Sequence, residues 1–460
     1  MKMLSHIAPL FTIIVLGLDA AADGLAAGEP TAQGESPYKN DPAIVKMLEF
    51  LGDRSSLALP PVTINAARNI FGSEIGGPPT RGFTLKMVYA PERQTALYEG
   101  GDHQCLRSSD VWEYHLGSNS WNMIFEPDGG NQADMKGTLM FTARKLREKP
   151  DYRMNDSEKK NWDETKKWWK QNVVLRDGVL VTSHGGPLLV GHTWDTLVYD
   201  PAVRRMIHGT GAYCSDAVVL HSRFEGIPLA DAEKGLDKSC TGIWTFDPGK
   251  KMWACHRHDP SKPMAPMGGM GATMCYIPDW GKVLWYTAAQ NVSPHAYEMW
   301  AWDVAKDEWT ELKPNGGRRI SDLVLRDKVA PSDEMQTAYS PKHKKLVAVR
   351  GPDTFVYDIL RNEWTKACTD NRIEAFDYRT VFAYDSHADV FLLSNMKKTL
   401  LAAFSLDTGK WEEIVPNGPG LRDRPDDRNV KGYYDPKHNV FVLHGSWVKQ
   451  VWVYRHTASK

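Results

Sequence analysis

The densest group of potential metal ligands and proton carriers in this chain is Cys255-His256-Arg257-His258-Asp259. Imidazole, thiolate and carboxylate together could hold a zinc-class cation, but a structural zinc site needs a second ligand pair at a defined spacing. The neighbouring sequence offers none, so the stretch reads as a polar loop after a strand, with no metal and no cofactor assigned. His184 and His192 flank Gly185-Gly186-Pro187, a weaker pattern. A Gly-x-Ser-x-Gly elbow, a phosphate loop and a His-Glu-x-x-His helix are all missing from the sequence. No catalytic residue is assigned.

Chemistry must therefore come from residues that the fold brings together, and the fold is written in a repeat. A tyrosine precedes a tight turn at Tyr89-Ala-Pro91, Tyr199-Asp-Pro201, Tyr276-Ile-Pro278, Tyr339-Ser-Pro341, Tyr384-Asp-Ser386 and Tyr434-Asp-Pro436, each between strand-like runs. In five copies an aromatic residue then stands seven positions before a tryptophan. These are Tyr114 and Trp121, Phe246 and Trp253, Trp302 and Trp309, Tyr357 and Trp364, and Phe404 and Trp411. Third strands also carry aromatics one residue apart, such as Trp112 and Tyr114 or Trp300 and Trp302, which share one face of a strand. A lone sheet cannot bury such a strip, whereas sheets arranged radially bury each against the next.

The hairpin tyrosines and spaced tryptophans resemble Kelch-repeat β-propellers over roughly residues 83–454. The glycine doublet expected after the second strand is intact only as Gly100-Gly101. The resemblance implies an all-β fold: a six-bladed Kelch-type β-propeller of four-stranded antiparallel blades. Six repeats make residues 55–460 one propeller domain. Two segments exceed the repeat. About residues 131–187, where Asn155 and Glu158 form a helix-start pair and Trp162, Trp169 and Val173 share a helical face, predict a small helical insertion between blades one and two. Tyr213 to Thr241 is a second excursion, inside blade two. Ser405 to Trp411 is close to the Asp box of sialidases, but it coincides with a repeat hairpin and is read as structural.

At the N-terminus, Lys2 followed by the apolar run Ile7–Leu18 and small residues predicts a signal peptide over residues 1–27. That run is shorter than the ~20 residues of a membrane helix. The expected location is exported, periplasmic or extracellular. Residues 28–54 read as a linker, with an amphipathic stretch from Asp41 to Leu51. Adding seven to Tyr454 overshoots the 460-residue chain, so the sixth repeat lacks its fourth strand. Leu59 to Ala66, with Val62-Thr63-Ile64, is expected to supply it and cover the open edge.

Six cysteines in an exported chain invite disulfides: Cys105, Cys214, Cys240, Cys255, Cys275 and Cys368. Cys214 and Cys240 bracket the second excursion and are the expected pair; the other four allow three connectivities or remain free. A net charge of −1 and a pI near 6.9 give no global field for nucleic acid or an anionic membrane.

Hairpin turns lie at one rim of such a propeller, so second-strand ends and long loops lie at the other. Second-strand ends place Glu99, His208, Arg350, Asn395 and His444 around the channel mouth as candidate binding residues. Three functions fit. The first is a monomeric, non-catalytic module for a protein or glycan ligand. The second is a carbohydrate-acting enzyme of the epimerase or mutarotase kind. The third is a copper radical oxidase resembling galactose oxidase, for which the adjacent Tyr114-His115 pair sits in an unsuitable place, leading into a hairpin.

Overall fold

Each repeat tryptophan stands directly across from its aromatic partner on the neighbouring strand: Trp121 opposite Tyr114, Trp253 opposite Phe246, Trp309 opposite Trp302, Trp364 opposite Tyr357 and Trp411 opposite Phe404. Their ring centroids are 4.6 to 5.3 Å apart, and all five indoles are buried. The seven-residue spacing is therefore the length of one hairpin between two outer strands. The computed structural model describes residues 36–66, 77–78, 81, 84, 86–101, 108–127, 137–188, 190–209, 214–266, 272–287, 298–316, 335–373, 380–395, 398–420, 431–445 and 450–457, without the side chains of 137–141 and 214–216.

Six antiparallel sheets surround a central axis. The innermost strands are Val88–Ala90, Leu197–Asp200, Thr273–Ile277, Gln336–Ser340, Thr380–Asp385 and Lys431–Asp435, and each neighbours the next in a closed ring. The fold is the expected six-bladed β-propeller. Repeat tryptophans also reach the preceding blade. The indole of Trp253 donates to the Ser109 carbonyl (3.1 Å), that of Trp411 to Thr354 Oγ1 (2.8 Å), and Trp364 meets Tyr286 with centroids 6.2 Å apart. The aromatic strip of one sheet is thus roofed by the next.

The hairpin tyrosines have a second periodicity behind them. Five residues after each one the backbone turns left-handed, at Gln94, Arg204, Gly281, Lys344, Asp389 and Asn439, with φ between 52 and 60°. Outer hairpins repeat the device two residues before each tryptophan, at Asn119, Lys251, Asp307, Asn362 and Gly409. Asn and Asp tolerate this region because their short polar side chains bond locally. Here the bond is to the tyrosine: Tyr114 to Asn119 (2.8 Å), Tyr357 to Asn362 (2.6 Å), Tyr384 to Asp389 (2.7 Å) and Tyr434 to Asn439 (2.9 Å).

The closing strand differs from expectation. Ser55–Ala58 pairs antiparallel with Val451–Arg455 and completes blade six. Thr63–Asn65, expected there, instead runs parallel to Ser120–Phe125 as a fifth strand on blade one. The segment therefore straps the last blade to the first. Ahead of it, α1 (Pro42–Glu49) occupies part of the expected linker, with Asp41 as its N-cap and Ile44 and Leu48 buried against blades one and six.

Two helices, α2 (Gly137–Glu148) and α3 (Asp156–Asn172), fill the insertion, followed by a hairpin of Val173–Arg176 with Val179–Thr182. Asn155 and Glu158 form the expected capping box. The excursion in blade two is also helical, as α4 (Cys214–Glu225) and α5 (Leu229–Lys234). The two segments share a satellite core in which Phe224 meets Trp162 and Trp169, with centroids 4.7 and 5.5 Å away. Cys240 is joined to Cys255, not to Cys214. The two are close because they lie on paired strands of blade two, a proximity that the length of the intervening excursion does not reveal. Cys275 and Cys368 are free, and Cys105 lies outside the described residues, as does the expected signal peptide.

Candidate functional site at the channel mouth

In each blade the first strand begins, and the second ends, at the rim opposite the hairpin turns, as the pairs Leu197 with His208, Thr380 with Asn395 and Lys431 with His444 show. All five sequence-chosen residues lie there, and all are buried, from 0% exposure for Glu99, Asn395 and His444 to 5% for Arg350. The structure brings two of them together: His208 Nδ1 lies 2.8 Å from Glu99 Oε2, across the junction of blades one and two. Asn395 Oδ1 accepts from the Lys398 amide (3.2 Å). His444 sits edge-on to Tyr114 at 4.4 Å and 5.0 Å from Trp121. Its counterpart Tyr286, ten residues beyond Tyr276 as His444 is beyond Tyr434, seats Trp364 in the same way. The seat for the next blade's tryptophan is thus a second-strand end, which is why His444 lies between blades rather than on an open rim.

Nearer the axis, a belt of polar residues stands at the starts of the innermost strands. Lys86 Nζ donates to the Met274 carbonyl (2.7 Å) and pairs with Asp195 Oδ1 (3.2 Å), linking blades one, two and three. The other carboxylate oxygen of Asp195 accepts from the amide and hydroxyl of Thr337 in blade four (3.1 and 2.7 Å). Gln336 Nε2 donates to the Thr380 carbonyl of blade five (3.0 Å), and Lys431 of blade six to the Thr84 carbonyl. Burial pushes the Asp195 carboxyl up to about 6, against the opposing pull of Lys86 and the Thr337 bonds. The Cys275 thiol, behind the belt, is pushed up to about 12 by burial. Its thiolate is therefore scarce at neutral pH.

Beside the belt, Arg81 is wholly buried, with its guanidinium on Asp110 Oδ2 (2.5 Å) and the Gly100 carbonyl. Gly100, at φ 140°, and Gly101 leave room for the neighbouring chain: a Cβ on Gly101 would lie 2.4 Å from the Val190 carbonyl oxygen. The one intact glycine doublet thus marks a close approach between blades one and two.

Sequence reasoning missed the belt, although a signal exists. Lys86, Asp195, Gln336, Thr337, Thr380 and Lys431 stand two to four positions before a hairpin tyrosine, where an otherwise apolar strand turns polar. Tyr114 and His115, weighed for copper, are engaged in their hairpin, the first with Asn119 and the second through Nδ1 with Ser118 Oγ (2.8 Å). Ser405 and Asp407 likewise belong to the blade-five hairpin before Trp411.

Fold and site together define a six-bladed β-propeller with a polar, multi-blade belt at one channel mouth. No family model and no curated protein matches this chain. Among the described residues no helix is long and apolar enough to cross a membrane.

Proposed function

We propose that this chain is an exported Kelch-type propeller that binds a protein or glycan ligand, without catalysis, at the channel mouth bounded by Lys86, Asp195, Gln336, Thr337, Thr380 and Lys431. The belt carries this reading. Burying Lys431 and the Asp195 carboxylate, with Lys86 half-buried beside it, costs desolvation energy that apolar residues would not incur, and inner strands of a propeller need no charge to pack. The helices α2 to α5 grow from connections at the same rim, on the side of blades one and two, and give the mouth a wall. Of the second-strand ends, Asn395 and His444 stand directly across from Thr380 and Lys431 of the belt. The tyrosine and tryptophan spacings support the Kelch assignment. Export is supported by the N-terminal pattern and by the Cys240–Cys255 disulfide, a bond that persists in oxidising compartments.

The test is a screen of the purified chain, with Lys86→Met and Lys342→Met variants, against arrayed neutral and acidic oligosaccharides and an immobilised peptide library. Lys342 lies on the opposite, hairpin rim. Binding should fall at least tenfold in K86M and stay unchanged in K342M. The reverse pattern moves the site to the hairpin rim.

A carbohydrate-acting enzyme is the second reading, favoured by Asp195. A buried carboxyl with a pKa near 6 beside a lysine suits general acid–base work. Proton NMR of reducing sugars incubated with the protein and its D195N variant separates the two readings: an Asp195-dependent change in anomer or epimer exchange supports catalysis.

A further inference from the structure

We propose that His256, His258 and Asp307 form a site for one divalent transition-metal cation of the zinc class, tying the outer strand of blade two to the outer hairpin of blade three.

His256 lies in strand Met252–Arg257 and His258 just beyond it, while Asp307 comes from the turn between Met299–Asp303 and Glu308–Leu312. One ligand atom from each lies within 4.8 Å of the other two. His256 Nε2 is 2.9 Å from Asp307 Oδ1, and His258 Nδ1 is 2.8 Å from Asp307 Oδ2. Zinc bonds of about 2.0–2.2 Å to nitrogen and oxygen separate tetrahedral ligand atoms by roughly 3.3–3.6 Å, so small rotations of the rings open the position.

The proton count points the same way. His258 Nε2 faces the Lys262 carbonyl at 3.2 Å, and a carbonyl only accepts. Nε2 therefore carries the hydrogen in a neutral ring, which leaves the Nδ1 lone pair aimed at a carboxylate oxygen. Two acceptors at 2.8 Å need a cation between them, either a proton or a metal. His256 Nε2 and Asp307 Oδ1 are both buried and face each other without hydrogen-bond geometry. One metal satisfies all three groups, with the Lys262 carbonyl orienting His258 as outer-shell carbonyls orient ligating histidines. Two imidazoles with one carboxylate select zinc-class cations over calcium or magnesium, and three protein ligands leave a fourth position for water.

The repeat supplies an internal control. Asp307 and Asn362 are equivalent, each two residues before its tryptophan and left-handed. At Asn362 the chain leaving blade three docks through neutral amides: the Asn315 amide donates to the Asn362 carbonyl (2.9 Å), and Asn315 Oδ1 accepts from the Trp364 amide (2.9 Å). Docking one blade on the next therefore requires neither a carboxylate nor an imidazole. The blade-two site is also rigid: the His258 amide donates to the Ser239 carbonyl (2.9 Å), the Trp302 indole lies 4.8 Å from the His256 ring, and Cys255 is held in its disulfide.

The experiment uses the full chain, free of any histidine tag and stripped with a chelator. Zinc sulfate is titrated by calorimetry, with metal content after dialysis read by mass spectrometry. Wild type should retain one zinc per chain and gain several degrees of Tm. Asp307→Asn copies the residue of blade four and should fold with an unchanged metal-free Tm. Its zinc affinity should fall by more than about 100-fold, beyond the loss typical of an outer-shell partner. His256→Gln should behave alike. A wild type that takes up no stoichiometric zinc, or an Asp307→Asn variant that binds as tightly as wild type, overturns the proposal.

Discussion

The Tyr357 hydroxyl donates to the side-chain oxygen of Asn362, 2.6 Å away, while the Asn362 backbone turns left-handed at φ 51°. One side chain thus does two things. It relieves a turn that a β-carbon disfavours, and it satisfies the polar end of a tyrosine whose ring belongs to the aromatic roof of blade four.

Replacement of Asn362 should separate these roles. Glycine keeps the turn and loses the bond, at about 1 kcal/mol. Alanine loses the bond and also strains the turn, adding roughly 1–2 kcal/mol. Urea unfolding of N362G and N362A should rank them in that order. Equal losses would mean that the turn carries no conformational strain.

The strap predicts a difference between two truncations. A chain beginning at Ser36 keeps α1 and Ser55–Ala58, whereas one beginning at Leu59 leaves the outer edge of Val451–Arg455 unpaired. The first should melt like the full chain. The second should melt well below it and aggregate. Coincident melting curves would show that Ser55–Ala58 is not what closes the ring.

Non-reducing peptide mapping should recover Cys240 linked to Cys255, while Cys275 and Cys368 alkylate once the chain is denatured. The closed loop is 15 residues long. Removing the bond by C255S should cost roughly 3 kcal/mol on the chain-entropy account. A Cys214–Cys240 peptide would restore the pairing expected from sequence.

Asp195 predicts a pH effect with a definite sign. Its carboxyl is raised in the folded chain to about 6, from 3.8, so the folded state holds that proton more tightly than the unfolded state. This contribution to stability is fully present below about pH 4 and is lost as the pH rises to 6. Between those limits the stability of wild type relative to D195N should fall by roughly 2 kcal/mol. A flat difference across that range would show that Asp195 titrates normally.

The fold was legible because its signal is local. Trp364 and Tyr357 are seven residues apart in the chain and face each other across one hairpin, so periodicity reads the contact directly. The left-handed residue five beyond each hairpin tyrosine was equally available and follows from the same turn. Closure was less legible. Val62-Thr63-Ile64 has the better strand composition, yet Ser55-Ser56-Leu57-Ala58 closes blade six, because the available edge decides pairing where propensity is weak. The belt and the histidine cluster were hidden for a different reason. Lys86 and Asp195 are more than 100 residues apart, and His258 and Asp307 nearly 50, so only the packing of one blade on the next brings them within bonding distance. Burial of Glu99 and His444 followed from packing between blades, which no single repeat displays.

The N-terminal segment also fixes an orientation. The Asp41 amide donates to the Gly117 carbonyl (2.8 Å), and Tyr38 bonds Glu113 (2.6 Å), so the chain ahead of α1 runs along blade one toward the hairpin side. Tyr38 and Asp41 thereby hold this segment against blade one, beside its outer hairpin and on the side away from Lys86 and Asp195.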